Sequence, residues 1–176
     1  MLSAPKTIIS FIAFIFRTMK KYTFTWDRLT TWITVILSLV CLFLFYEGYR
    51  MFVYEEGGKG IGVFVMILAA AIFLVPIFFC PFYATKKEQT ITIHFLAHQK
   101  ILNLQQFEVE PQHHFSMSGW LRLCASGGYF GYWGIWRSKN NENIVSYLTN
   151  RKRDVYLLRP SSGNPIVINL PREWVE

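Results

Sequence analysis

The chain reads as an α+β protein, with two long hydrophobic helices forming an N-terminal transmembrane hairpin and a small domain of antiparallel β-strands behind it. Three observations predict this. Residues 29–46 and 61–83 are uncharged runs of eighteen and twenty-three residues, long enough to cross roughly 30 Å of hydrocarbon as helices. After Tyr83 the apolar residues recur every second position, as in half-buried strands. Hydrophobic residues make up 52% and charged residues 16%, against roughly 45–50% and 25% in ordinary soluble domains, and the apolar excess is concentrated in the two runs.

Residues 1–28 form a basic segment in which Lys6, Arg17, Lys20, Lys21 and Arg28 face Asp27 alone. Within it, Ile8 to Phe16 is apolar. This stretch has no small-x-small cleavage site and a longer hydrophobic run follows at once, which argues against a signal peptide. It reads either as an interfacial helix or as an extension ahead of a natural start at Met19. Pro76 and Pro81 fall in the last third of the second run, where proline kinks a span or marks its exit. The connector from Glu47 to Gly60 is short, glycine-rich and weakly acidic, and reads as a tight extracytoplasmic turn. Trp26, Trp32, Tyr46, Tyr49, Tyr54 and Tyr83 gather near the ends of the runs, where amphipathic rings favour the headgroup level.

Charge sets the expected orientation. Residues 1–28 carry five basic side chains against one acidic (+4), residues 47–60 two against three (−1), and residues 84–176 eleven against seven (+4). Lys and Arg are retained in the cytoplasm, so both termini are expected there. The basic flanks also attract anionic lipid, each side chain near the surface contributing about 1 kcal/mol. Nucleic-acid binding is not expected, because the charges are scattered and no recognised motif accompanies them.

Residues 84–176 form the second domain. Thr90 to Phe95 alternates polar and apolar side chains, and Lys100 to Phe107 offers Ile101, Leu102 and Leu104 before Pro111 closes the segment. Further strands are expected at 144–148, 154–158 and 165–170, the last two as a hairpin around Ser161-Ser-Gly-Asn164. A small antiparallel sheet or barrel accommodates them.

Residues 122–137 carry four glycines among five aromatic side chains. A phosphate-binding loop does not fit: the glycines repeat every three residues at 128, 131 and 134, and no GK[ST] follows. A bent strand does, with Gly127, Gly128, Gly131 and Gly134 as structural glycines that let the sheet coil or another backbone approach. Tyr129, Phe130, Tyr132, Trp133 and Trp136 then either fill space on both faces or present a patch to lipid or a protein partner. Arg151-Lys152-Arg153 beside Asp154 is a charged turn; near a bilayer it could hold anionic headgroups.

The string Ser126-Gly-Gly-Tyr-Phe-Gly-Tyr-Trp-Gly134, with Val145 to Asn150, Asp154 to Leu158 and Pro165 to Ile168, resembles the pleckstrin-homology-like domains of bacterial membrane proteins over residues 84–173. Ala125 replaces an expected glycine, and Asn169-Leu-Pro replaces the usual serine-proline ending. The resemblance implies a PH-like β-barrel or split barrel behind the helical hairpin, in a multi-pass protein of the bacterial inner membrane. It implies no activity.

Catalytic and metal chemistry find little support. His94 and His98 are spaced for a helix but sit on a strand, which separates i and i+4 by about 13 Å. Neither they nor His113-His114 are completed by a CxxC or carboxylate cluster. Cys124 has nothing local to activate it and is expected to be buried. Glu108 and Glu110 read as solvated edge positions. No metal, cofactor or enzymatic activity is therefore expected. The leading expectation is a membrane scaffold whose cytoplasmic domain contacts a protein partner, a second copy or the lipid surface. A membrane enzyme or enzyme subunit, with a pocket beneath the aromatic strand, comes second. A small oligomeric transporter component comes last, because the spans lack charges.

Overall fold

The computed structural model describes residues 20–113 and 115–175; the expectations for residues 1–19, the interfacial helix and the start at Met19, lie outside them. Two helices, α1 (Arg28–Tyr54) and α2 (Lys59–Phe79), follow a first short strand, β1 (Lys20–Thr23). Nine more strands come after them: β2 (Tyr83–Lys87), β3 (Thr90–His94), β4 (Gln99–Asn103), β5 (Phe107–Pro111), β6 (Leu121–Ala125), β7 (Tyr132–Arg137), β8 (Asn143–Leu148), β9 (Val155–Pro160) and β10 (Ile166–Asn169).

Both helices are long and apolar enough to cross a membrane. At 1.5 Å per residue, their 27 and 21 residues span about 40 and 32 Å. Only 17% and 11% of their most apolar windows is buried inside the protein, whereas the core helix of a soluble domain is mostly covered. The boundaries differ from the sequence expectation. Eight residues of the expected connector continue α1, and the turn shrinks to Glu55–Gly58. An ion pair between Arg50 and Glu47, one turn apart at 3.0 Å, occupies the far part of α1. At the other end α2 stops at Phe79, three residues after Pro76, and Tyr83 starts β2 instead of closing a span. Its ring stacks on His94, centroids 4.2 Å apart.

Small residues let the helices approach. Cys41 and Gly48 on α1, and Gly62 and Ala69 on α2, are buried and seven apart within each pair. A Cβ at Gly48 would lie 2.8 Å from the Gly62 carbonyl oxygen, and one at Gly62 would lie 2.8 Å from the Phe52 backbone nitrogen. Close backbone approach brings many atoms of the two helices into dispersion contact, which holds the crossing together.

The strands form two sheets. One has the order β1-β2-β3-β4 and is antiparallel throughout; the other has the order β5-β9-β10-β8-β7-β6. The expectation of an all-antiparallel sheet is corrected at one place: β10 runs parallel to β8, with Ile166 opposite Val145. The cause is the β9–β10 hairpin, which inserts β10 into the gap between β8 and β9, so that residues 149–154 cross over its end. A closed barrel is also not seen, since no ladder joins the two sheets among the described residues. They pack instead as layers. Ala84, Ile91, Ile93 and Leu102 meet Tyr156, Leu158, Ile166 and Ile168 in one core, closed by Phe24 and Trp174. The opposite face of the six-stranded sheet carries Leu148, Leu157 and Val167, over which Phe115, Met117 and Trp120 fold. Because β1 pairs with β2 and Phe24 joins the core, the sheet domain takes in residues on both sides of the helical hairpin.

Gly62→Leu should overpack the helix crossing and lower stability in detergent by about 1–3 kcal/mol. Gly60→Ala, where a Cβ meets nothing within 4 Å, should have no such effect. Equal thermal shifts for the two variants would refute the close crossing.

Candidate functional site

The glycine-aromatic string is a hairpin, not one bent strand: β6 and β7 pair antiparallel and Gly128 bridges Gly131 across the tip. Gly128, Gly131 and Gly134 adopt φ of +126°, +119° and +105°, a region that favours glycine. All three also admit close neighbours, Gly134 the Cys124 carbonyl and the Ala125 backbone across the hairpin. A Cβ at Gly128 would lie 2.6 Å from Ile33 Cδ1 on α1, and one at Gly131 would lie 2.8 Å from the Leu148 carbonyl oxygen. Gly127 gives room to the Arg122 guanidinium. Ala125, the departure from the glycine pattern, is strand residue with no positive φ, so glycine is not required there.

This tip is wedged between the two helices. Thr34 on α1 accepts a hydrogen bond from the Phe130 amide at 3.0 Å, and its hydroxyl reaches the Gly128 carbonyl at 3.5 Å. Cys80, capping α2, donates its Sγ–H to the Phe130 carbonyl at 2.9 Å. Phe130, itself at φ +56°, places its ring against Trp26 and Phe73, while Trp133 stacks on Phe79 at 5.4 Å. Ser126 Oγ and Trp133 Nε1 both donate to the Tyr129 carbonyl, which holds the turn closed. Of the five expected patch residues, Tyr129, Tyr132 and Trp136 are buried and Phe130 and Trp133 half-buried. The rings of Tyr129, Phe130 and Trp133 fill the joint between hairpin and helices, each aromatic pair contributing about 0.5–1.5 kcal/mol beyond area burial, while Tyr132 joins the core of the sheet domain and Trp136 lies under the Arg122 guanidinium.

A second contact ties the foot of α1 to the turn that crosses over β10. Asp27, immediately ahead of the apolar run, caps α1 by accepting from the Thr30 amide at 2.7 Å. It also accepts from the Arg151 amide at 3.4 Å and faces the Arg151 guanidinium at 3.6 Å. Burial alone would push the Asp27 carboxyl up; the Thr30 and Arg151 amides and the Arg151 charge outweigh it and hold the carboxyl below its ordinary value. The Asp27 amide donates in turn to Thr149 O, and Thr149 Oγ1 to Thr25 O. Beneath the turn lies Asn169, fully buried. Its Oδ1 accepts from the Thr149 and Asn150 amides and its Nδ2 donates to the Asn150 and Arg153 carbonyls. One side chain thereby satisfies four backbone groups that the crossover would otherwise leave unpaired.

The turn presents the three basic residues differently. Arg151 is half-buried, its guanidinium 4.5 Å from the Tyr132 ring centroid. Lys152 is exposed, and Arg153 pairs with Asp154 at 3.4 Å while remaining 71% exposed. Asp27 and Asn169 were not singled out as site residues from sequence. An Asp directly before an apolar helical run is a capping signal; nothing in the sequence marks Asn169.

Other candidates separate. His94 lies on Tyr83, His98 stacks on Phe95, His113 is exposed, and His114 lies outside the described residues. Burial, with Lys21 nearby, lowers the His94 pKa, favouring the neutral ring. Cys124 is exposed, against the expectation of a buried thiol, because every residue of β6 up to it faces outward at the sheet edge. Glu110 is not simply solvated: Arg159 bridges it, at 3.0 Å, to Glu142, at 3.2 Å. An apolar cleft of about 680 Å³ does lie beneath the aromatic strand, between Val75, Pro76 and Phe79 of α2 and Trp133, Ile135 and Val145. At its rim Lys100 Nζ donates to the Tyr147 hydroxyl at 3.3 Å.

Asp27→Ala should cost about 0.5–2 kcal/mol through the lost cap. Asp27→Asn keeps a capping oxygen and removes only the charge. Because the folded pKa is depressed, the charge stabilises above the ordinary 3.8 and its contribution disappears as pH falls through the folded value. Thermal unfolding of wild type minus Asp27→Asn should therefore give a difference that is constant near neutrality and shrinks in acid; identical pH profiles would refute the ion pair.

Compared with protein-family models, curated proteins and solved structures, the chain matches none.

Proposed function

We propose that the chain is an integral protein of the bacterial inner membrane, with both termini cytoplasmic, and that its sheet domain is a rigid, non-enzymatic platform for a protein partner or the lipid surface. The observation that carries this reading is the wedge of the 126–134 hairpin between the helices. A domain meant to search space would hang on a linker; here the backbone at Phe130 is bonded to Thr34 and to Cys80 at once. Helices exposed along most of their apolar length need an apolar surrounding, and hydrocarbon provides it.

The likeness to bacterial PH-like domains belongs to the same proposal. It rests on the glycine-aromatic string and the closing strands, and two sheets stacked around one core are the arrangement an opened split barrel would have. For a partner, the free edge β6 offers Leu121 and Leu123, 65% and 48% exposed, with Ile135 beside them. An apolar, unpaired edge is a template for another strand. The cleft beneath the aromatic strand supports the rival reading of a membrane enzyme, yet its lining is mainly apolar and its rim lysine is already engaged by Tyr147. A transporter built from copies of the hairpin draws support from the helix lengths alone.

Affinity capture of the detergent-solubilised full chain should recover one specific partner, a second copy included. Leu121→Lys with Leu123→Lys should abolish that recovery while changing stability by no more than about 0.5 kcal/mol, as for other exposed positions. Recovery of nothing above an empty-membrane control would refute the platform. A periplasm-dependent reporter active after Glu176 would reverse the orientation.

A further inference from the structure

Beside the joint, at the foot of α1, lies a cleft of about 590 Å³ whose two sides differ in chemistry. Arg122, Arg151 and Lys152 line it from the sheet domain, and Leu29 and Ile33 line it from the first turns of α1. Arg151 is engaged by Asp27, but Arg122 and Lys152 form no ion pair among the described residues. The Arg122 guanidinium lies 5.5 Å from the centroid of the Trp136 ring, an arrangement that fixes a cation without neutralising it. Three cations against one carboxylate leave an anion-attracting site.

Trp136 supplies an independent observation. It lines the same cleft, is only 4% exposed, and its Nε1–H has no acceptor among the described residues. An indole nitrogen can only donate, and a buried donor left unpaired costs about 1–3 kcal/mol. An oxygen-rich anion in the cleft would accept from it. The apolar side says what the anion is attached to. Leu29 is 47% exposed and opens the uncharged face of α1, so a head seated among the cations directs its tail along the helix.

We propose that this cleft binds the phosphate headgroup of an anionic glycerophospholipid, with its acyl chains running along Leu29 and Ile33. The inference rests on the bilayer location above and names the ligand of the basic turn. Arg122 and Lys152 hold the phosphate, and Trp136 Nε1 donates to one of its oxygens.

The test titrates the full-length protein, in a neutral detergent, with dihexanoyl phosphatidylglycerol, dihexanoyl phosphatidylcholine or glycerol 3-phosphate, reading thermal stabilisation. The phosphatidylglycerol should stabilise most strongly. Arg122→Gln and Lys152→Gln should each weaken its binding about fivefold, as loss of one basic contact near a lipid surface does, and Lys87→Gln, exposed on the other sheet, should not. Trp136→Phe should weaken binding while keeping a ring in place. Equal stabilisation by phosphatidylcholine, or equal losses from Lys87→Gln, would overturn the site; full stabilisation by glycerol 3-phosphate would overturn the lipid as its source. A parallel carbonate wash of vesicles separates the two readings. Retention without a phosphatidylglycerol preference defeats this inference alone, and release into the wash defeats the membrane reading with it.

Discussion

Everything in this molecule hangs on a backbone held between two helices. Side-chain contacts between a sheet and a helical hairpin could slide; the hydrogen bonds that join the Phe130 amide to Thr34 on one helix and the Phe130 carbonyl to Cys80 at the end of the other cannot without breaking. Glycine makes this possible. At positions 128 and 131 a side chain would meet Ile33 or the Leu148 carbonyl, and the left-handed turn around Phe130 would be strained for most residues. The aromatic rings then close the gaps that glycine opens, so the two residue types in the 126–136 string do opposite jobs within the same joint.

The second joint works by charge and by amide bookkeeping at the crossover. A turn that passes over a buried strand exposes its own amides and carbonyls to an interior without water. Asn169 answers them from below, and Asp27 answers the outermost one, the Arg151 amide, while it caps the helix. Arg151 is thus drawn to the helix foot, leaving Lys152 outward. The basic turn has its shape because a neutral side chain beneath it and a carboxylate beside it fix its backbone.

Much of this was legible and the reasons for the exceptions are physical. The two long apolar helices could be read because their runs at 29–46 and 61–83 carry no charge, and β3, β8, β9 and β10 because one or both faces are buried. The string at 122–137 reads as one bent strand and is instead the β6–β7 hairpin, because the fold-back at Gly128 and Gly131 is set by the packing of its tip, and β6, exposed from Leu121 to Cys124, carries no core face that would set it apart from β7. β1 escaped because Lys20-Lys-Tyr-Thr23 is polar and its partner lies beyond both helices. The parallel pairing of β8 with β10 depends on which gap a hairpin enters, a choice made by long-range packing. The glycines at 128, 131 and 134 stand at positive φ, yet the neighbours of the string, the helices, were invisible to any local pattern. For the same reason Asn169, an ordinary polar residue at a strand end, showed nothing of its four partners.

The insertion of the helical pair inside one sheet has a kinetic side. Phe24 and Phe82 are joined by a backbone hydrogen bond of 3.3 Å, although the whole hairpin lies between them. In a free chain, bringing such distant residues together would carry a large loop-closure entropy and slow the search. Here α1 and α2, once side by side, return the chain to its point of departure, so β1 and β2 find each other as near neighbours. The helical pair acts as a template for the sheet: antiparallel helices convert a remote pairing into a local one, and the remaining strands have an edge on which to grow.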